Sequence, residues 1–137
     1  MKVSSCYLSE PWGFEADAWF LNAVVVLETA LGPEALMRQL LRIEAELGRV
    51  RDPEKRGYAS RTADLDLLYY GSQVISTPSL TVPHPRLHER RFTLLPLCEV
   101  APDFVHPLLG LTQTQLLQRC DDTLAVTKIA TRTTDSQ

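Results

Sequence analysis

The clearest helix in this sequence, GPEALMRQLLRIEAELG at residues 32 to 48, stands among strand-like runs instead of alternating with them. Pro33 suits a first helical position, Glu34 suits the positive N-terminal end, and Gly48 suits the stop. Leu36, Leu40, Ile43 and Leu47 recur at intervals of 4, 3 and 4, which makes an apolar stripe. Glu44 lies beside that stripe, and its spacing fits equally a carboxylate with a purpose and one that curls out to water. KVSSCYLS (2–9) and WFLNAVVVLET (19–29) read as strands before the helix, and ADLDLLYY (63–70), stopped by Gly71, as a strand after it. Without a regular βαβ alternation, the expected class is α+β, with helices packed on an antiparallel sheet.

The rest of the chain supports the same class. RVRDPEKRGYAS (49–60) has the basic, Pro- and Gly-containing make-up of a mobile surface loop. SQVIS reads as a short strand, and LTVPHP as an extended edge, because Pro83 and Pro85 exclude a central ladder position. Residues 88 to 102 are expected to be partly helical, with Pro96 tolerated near a helix start or a kink. LTQTQLLQRC resembles a short helix capped by Thr112, and LAVTKI a last strand. The 137 residues fit one domain, expected over 1–129 with a frayed tail over 130–137.

No apolar run approaches a membrane span and none resembles a signal peptide. Cys6, Cys98 and Cys120 are odd in number and widely spaced, which reads as reduced thiols in a cytoplasmic protein. A net charge of -3 argues against a general nucleic-acid binder. Yet eight of the 14 Lys and Arg residues fall in one stretch: Arg49, Arg51, Lys55, Arg56, Arg61, Arg86, Arg90 and Arg91, with His84 and His88 among them. One basic middle in an acidic chain fits a local anion site as well as a solvated loop.

The chemistry concentrates in SRTADLDLLYYG, residues 60 to 71. Asp64 and Asp66 are two apart, so in a strand they share a face, where like charges repel. A bound divalent cation reverses that interaction, and Mg²⁺ takes one or two carboxylates and fills its shell with water and phosphate oxygens. Aspartates answering Arg61 and other arginines in a structural network are the equal alternative. Arg49, Arg51, Arg61, Arg90 and Arg91 offer planar groups suited to phosphate. Walker A, GxGxxG and GxSxG patterns and zinc-ligand spacings are missing from the sequence. Trp12, Phe20 and Phe92, with the amide of Asn22, could frame a flat pocket for a planar heterocycle, or could be plain core.

Six stretches carry a resemblance to a known family. SSCYLSEPWGF, FLNAVVVLET, RIEAELGRVR, SRTADLDLLYYG, LTVPHPRLHERRFTLLPLCEVAP and, more loosely, VHPLLGLT occur in family order across roughly residues 3 to 119. They resemble 6-hydroxymethyl-7,8-dihydropterin pyrophosphokinase, an enzyme of folate biosynthesis. The resemblance implies a ferredoxin-like antiparallel sheet and transfer of pyrophosphate from ATP to the pterin hydroxymethyl group, leaving AMP. It implies that Asp64 and Asp66 hold two Mg²⁺ ions, and that Arg49 and Arg51 lie on a loop closing on ATP, with Arg51 stabilising charge. Arg61, His84 and Arg90 would contact phosphates, Thr81 would lie along the nucleotide, and Glu44 would support the phosphate and metal side. Asn22 would read the pterin edge, Phe20 and Phe92 would sandwich the ring, and backbone near Ser9 and Trp12 would complete the pocket.

The chain departs from the family in places. Phe20 stands where many members carry Tyr, and Leu41 and Ser79 where many have a polar or basic nucleotide contact. The family opens with a strand ending in a Leu-Gly-Ser-Asn turn and a long helix, whereas this chain begins at the next strand. The resemblance therefore implies a first family strand missing from the sheet, with an upstream start, a second chain or a remnant of reduced activity as the readings. A non-catalytic paralogue that binds nucleotide or pterin, and a ferredoxin-like interaction or nucleic-acid-binding module, are the other functions weighed. Membrane and nucleic-acid partners are not expected, and monomer and homodimer both stay open.

Overall fold

A computed structural model describes residues 1–10, 20–49 and 64–130, with the side chains of Arg49 and Ala130 outside the description. These residues group into two compact units: Met1–Glu28 with Pro85–Gln137, and Thr29–His84.

In the first unit, β1 (Lys2–Val3) pairs antiparallel with β4 (Val25–Val26), and β2 (Cys6–Ser9) lies between β3 (Phe20–Asn22) and β7 (Val126–Ala130). The two runs expected as continuous strands, 2–9 and 19–29, are thus each broken in two. The break has a physical cause. Ser4 accepts the Val24 N–H on its Oγ at 2.9 Å and gives its own N–H to the Val24 carbonyl at 2.8 Å, so the pairing changes sheet there. The antiparallel pairing expected is present, divided among the described residues into three small sheets.

The helices of this unit are α2 (Arg91–Val100) and α3 (Gln113–Arg119), and a 3-10 turn at Leu87–Glu89 leads into α2. Leu87, Leu94, Leu97, Val100 and Leu116 are buried, and Tyr7 joins them from β2. Each such aliphatic side chain contributes about 1.5–3 kcal/mol by leaving water. Of the two places expected for Pro96, a helix start or a kink, the start is excluded: it sits inside α2, buried. Residues packing on both sides of it, Leu94 and Leu97, bury enough apolar surface to hold the helix across the missing N–H. Thr112 caps α3 as expected, and in a full capping box: its Oγ1 accepts the Gln115 N–H while the Gln115 side chain accepts the Thr112 N–H.

The second unit holds α1 (Pro33–Arg49) and a hairpin of β5 (Ile75–Thr77) with β6 (Leu80–Val82). β6 stops at Val82, just before Pro83, as the missing proline N–H requires. The stripe of α1 is covered unevenly: Leu36 and Leu40 are half-buried, while Ile43 and Leu47 are exposed. The expected strand over 63–70 is corrected, because residues 64–70 are neither strand nor helix. The backbone ladder that defines a strand has no partner there among the described residues; instead the His84 N–H donates to the Leu68 carbonyl at 2.8 Å, the Leu65 N–H to Glu44 and the Tyr70 hydroxyl to the Leu31 carbonyl. Gly71 then turns the chain with φ 56°, a conformation that suits glycine. The tail expected at 130–137 lies, beyond Ala130, outside the described residues.

Candidate active site

In the second unit the candidate residues gather along 64–70 and the elements bonded to it. Exposure alternates: Asp64 and Asp66 face solvent, and Leu65 and Leu67 are half-buried. Both carboxylates are therefore open to solvent, with the half-buried Leu65 between them in sequence. Among the described residues, neither has a cationic partner. That removes the structural ion-pair network as far as those residues go, although Arg61, the nearest arginine in sequence, lies outside them. Glu44, on α1, accepts the Leu65 N–H on its Oε2. The carboxylate left open by the sequence thus has a purpose: it fixes the backbone between the two aspartates. His84 is tied to the same segment through its N–H and Leu68. Thr81 is exposed in the middle of β6. Ser79 donates to Glu34 at 2.9 Å, so its hydroxyl is engaged at the start of α1. Arg49 ends α1, and Arg51, like Arg61, lies outside the described residues.

In the first unit a second set is brought together by β2, β3 and α2. Ser9 is 1% exposed at the end of β2, and Asn22 donates from Nδ2 to its Oγ at 3.3 Å. Asn22 stands opposite Tyr7 in the ladder, and Phe20 opposite Ser9. Phe20 is 46% exposed, so the side chain leaves a large apolar ring open to solvent. Phe92 is half-buried in the first turn of α2, and the Arg90 guanidinium lies 5.5 Å from the centre of its ring. That cation–π contact gives Arg90 a fixed place at the α2 N-terminus, where the helix dipole also favours anions. Trp12 lies outside the described residues.

The sequence did not single out Glu99. Its carboxylate accepts from the Ser5 N–H at 3.0 Å, the Ser5 Oγ at 2.8 Å and the Tyr7 hydroxyl at 2.8 Å. Burial pushes its carboxyl up, but the bonds from Ser5 and Tyr7, with the charge of Lys128, outweigh this and hold it below the usual carboxylate range. Burial first, then the bond and charge of Glu99, pushes the Tyr7 phenol up to about 12. One signal was available: an acidic residue near the C-terminal end of a helix, where the dipole disfavours it.

Similarity to known proteins places the chain. Residues 1–102 match the family model of 7,8-dihydro-6-hydroxymethylpterin-pyrophosphokinase (HPPK). The chain belongs to this family. It is 46% identical over 99 residues to a 2-amino-4-hydroxy-6-hydroxymethyldihydropteridine pyrophosphokinase of Bacillus subtilis, covering 72% of this chain and 58% of that protein. The Synechocystis protein of the same name is 42% identical over 122 residues, 89% of this chain and 60% of its own length. That of Haemophilus influenzae is 45% identical over 107 residues, 78% of this chain and 65% of its own. This HPPK-family chain thus spans between 58% and 65% of the length of these curated relatives. Among the described residues, three α-helices with antiparallel sheets fit the α+β class expected. Among the described residues no helix is long and apolar enough to cross a membrane.

Proposed function

We propose that the protein is a cytoplasmic pyrophosphokinase of folate biosynthesis, a single pyrophosphokinase-like domain over 1–129. It transfers pyrophosphate from ATP to the hydroxymethyl group of 6-hydroxymethyl-7,8-dihydropterin. The hydroxymethyl oxygen forms a bond to the β-phosphorus, the bond from that phosphorus to the AMP oxygen breaks, and the hydroxyl proton is released. The observation that carries the reading is the pair of solvent-facing carboxylates, Asp64 and Asp66, in a chain of this family.

The donor set fits magnesium. Two exposed carboxylates two residues apart, without a cationic partner among the described residues, are hard oxygen ligands of the number Mg²⁺ usually takes from protein. Asp64 and Asp66 would hold two Mg²⁺, which when bound supply neutralisation of phosphate charge and a lowered proton affinity at the hydroxyl. Glu44 holds the segment between them at Leu65, so the carboxylates keep their spacing. His84, Arg61 and Arg90 bind phosphate oxygens, and Thr81 lies along the nucleotide. Arg49, at the end of α1, and Arg51 meet ATP, with Arg51 opposing charge that develops in transfer. Asn22 reads the hydrogen-bonding edge of the pterin beside Ser9 and Trp12, while Phe20 and Phe92 cover its faces.

The test is formation of AMP by the purified chain. The reading requires AMP from ATP when Mg²⁺ and the dihydropterin are both supplied, and none when either is left out. A chain that binds both ligands without making AMP returns the non-catalytic reading.

A further inference from the structure

β2 and the residue before it carry three buried side chains on one face: Ser5, Tyr7 and Ser9. Asn22, opposite Tyr7 and bonded to Ser9, belongs to that face too. The register of this strand is not secured by its ladder alone. Its pairing with β7 shifts between Cys6 and Tyr7. A shift of one residue would turn Ser9 away from Asn22, because side chains alternate. Glu99 grips the strand on both sides of that irregularity, at Ser5 and at Tyr7. It also belongs to α2, seven residues after Phe92, two helical turns along the same stripe. The Lys2 ammonium donates to the Val100 carbonyl at 3.4 Å, which keeps the C-terminal end of α2 beside the start of the β1–β2 run. The helix then rises about 10 Å back to Phe92. Four residues of strand from Ser5 to Ser9 advance about 13 Å. α2 packs against both β2 and β3, the strands that carry Ser9 and Asn22.

We propose that Glu99 is a positioning residue for the pterin: by locking α2 to β2 it sets Phe92 against the Ser9–Asn22 edge. The inference rests on the pterin reading of that edge. Glu99 does not touch the substrate; it acts through the strand and the helix it joins. Its low proton affinity keeps all its oxygens as acceptors at neutral pH, as three donors require.

The experiment uses the full chain with Glu99→Gln and Glu99→Ala. The glutamine variant keeps the side-chain volume but replaces one acceptor with a donor, so it remains informative where the alanine variant fails to fold. Two readings are taken: the Asn22 side-chain amide resonances in the free protein, and the KM values for dihydropterin and ATP with kcat. The expected result is a moved Asn22 amide and a dihydropterin KM raised about 10-fold, with the ATP KM within about twofold. Tyr7→Phe, which removes one donor, should give a smaller change of the same kind. An unmoved Asn22 amide overturns the proposal, as does an unchanged dihydropterin KM or an equal rise in both KM values. A wild-type chain that does not act on the dihydropterin sinks the pterin reading instead. The Asn22 resonances in the free protein then still decide whether Glu99 sets that edge.

Discussion

The edge at Ser9 and Asn22 and the segment at Asp64 and Asp66 are held in opposite ways. Around Ser9 the side chains hold one another: Asn22 on Ser9, Tyr7 and Ser5 on Glu99, Arg90 over Phe92. Around Asp64 the ties fall on the backbone, one from Glu44 to Leu65 and one from His84 to Leu68, and the two carboxylates are left to solvent. The contrast matches the work proposed for each region. A surface that reads the shape of a ring gains from groups fixed beforehand. Two like charges side by side cost stability and are useful where a cation arrives with the substrate.

The largest effect that would break this comparison is on chemistry. Asp64→Asn and Asp66→Asn should each lower AMP formation by about 100-fold or more, since several kcal/mol of charge stabilisation are at stake. Their thermal midpoints should stay level or rise, as a like-charge repulsion is removed. A fall in midpoint in melting experiments would mean the aspartates are structural. Next in size, Asn22→Ala should raise the dihydropterin KM about 10-fold, because the loss of one hydrogen-bonding side chain costs about 1–2 kcal/mol. The ATP KM measured alongside should not follow it.

A smaller effect concerns acid. Burial, then the charge of His88, holds the His106 imidazole below its ordinary value. Its Nδ1 accepts the Leu108 and Leu109 N–H groups at 3.1 and 3.0 Å, so the neutral ring is the one that fits. A group lowered in the folded state adds stability above its unfolded value, about 6.5, which is lost as pH falls through the folded one. The thermal midpoint should therefore decline below about pH 6.5, and His106→Asn should flatten that part of the profile. The smallest effect is at α3: Thr112→Ala removes a capping box and should cost about 1 kcal/mol in denaturant unfolding, with KM values unchanged.

Much of the fold could be read in advance where a local rule decided it. Pro33 opened α1, Thr112 announced α3, and Pro83 stopped β6, whereas the stop expected at Gly48 gave way to a helix that runs through it to Arg49. The misses come from partners that local patterns do not name. WFLNAVVVLET has the propensity for one strand, but Ser4 captures the Val24 backbone and splits it. DLDLLYY has the composition of a strand, yet a strand is a ladder, and no ladder forms among the described residues. In the site, the shared face expected of Asp64 and Asp66 rested on a strand that is not formed, and what the two have in common is their exposure. Glu44 was legible as a boundary carboxylate, but its partner, Leu65, is 21 residues away. Glu99 was not legible at all, because its donors lie 92 and 94 residues away in β2 and just before it.

Asp64 and Asp66 have no cationic partner among the described residues, and the partner proposed for them is a divalent cation. Titration of Mn²⁺, as a stand-in for Mg²⁺, into the chain with a non-hydrolysable ATP analogue tests it most directly. The wild-type chain should bind the ion together with the nucleotide, and the double variant Asp64→Asn/Asp66→Asn should lose that binding by about 100-fold while melting as a folded protein. Equal binding of Mn²⁺ to both chains would contradict the account.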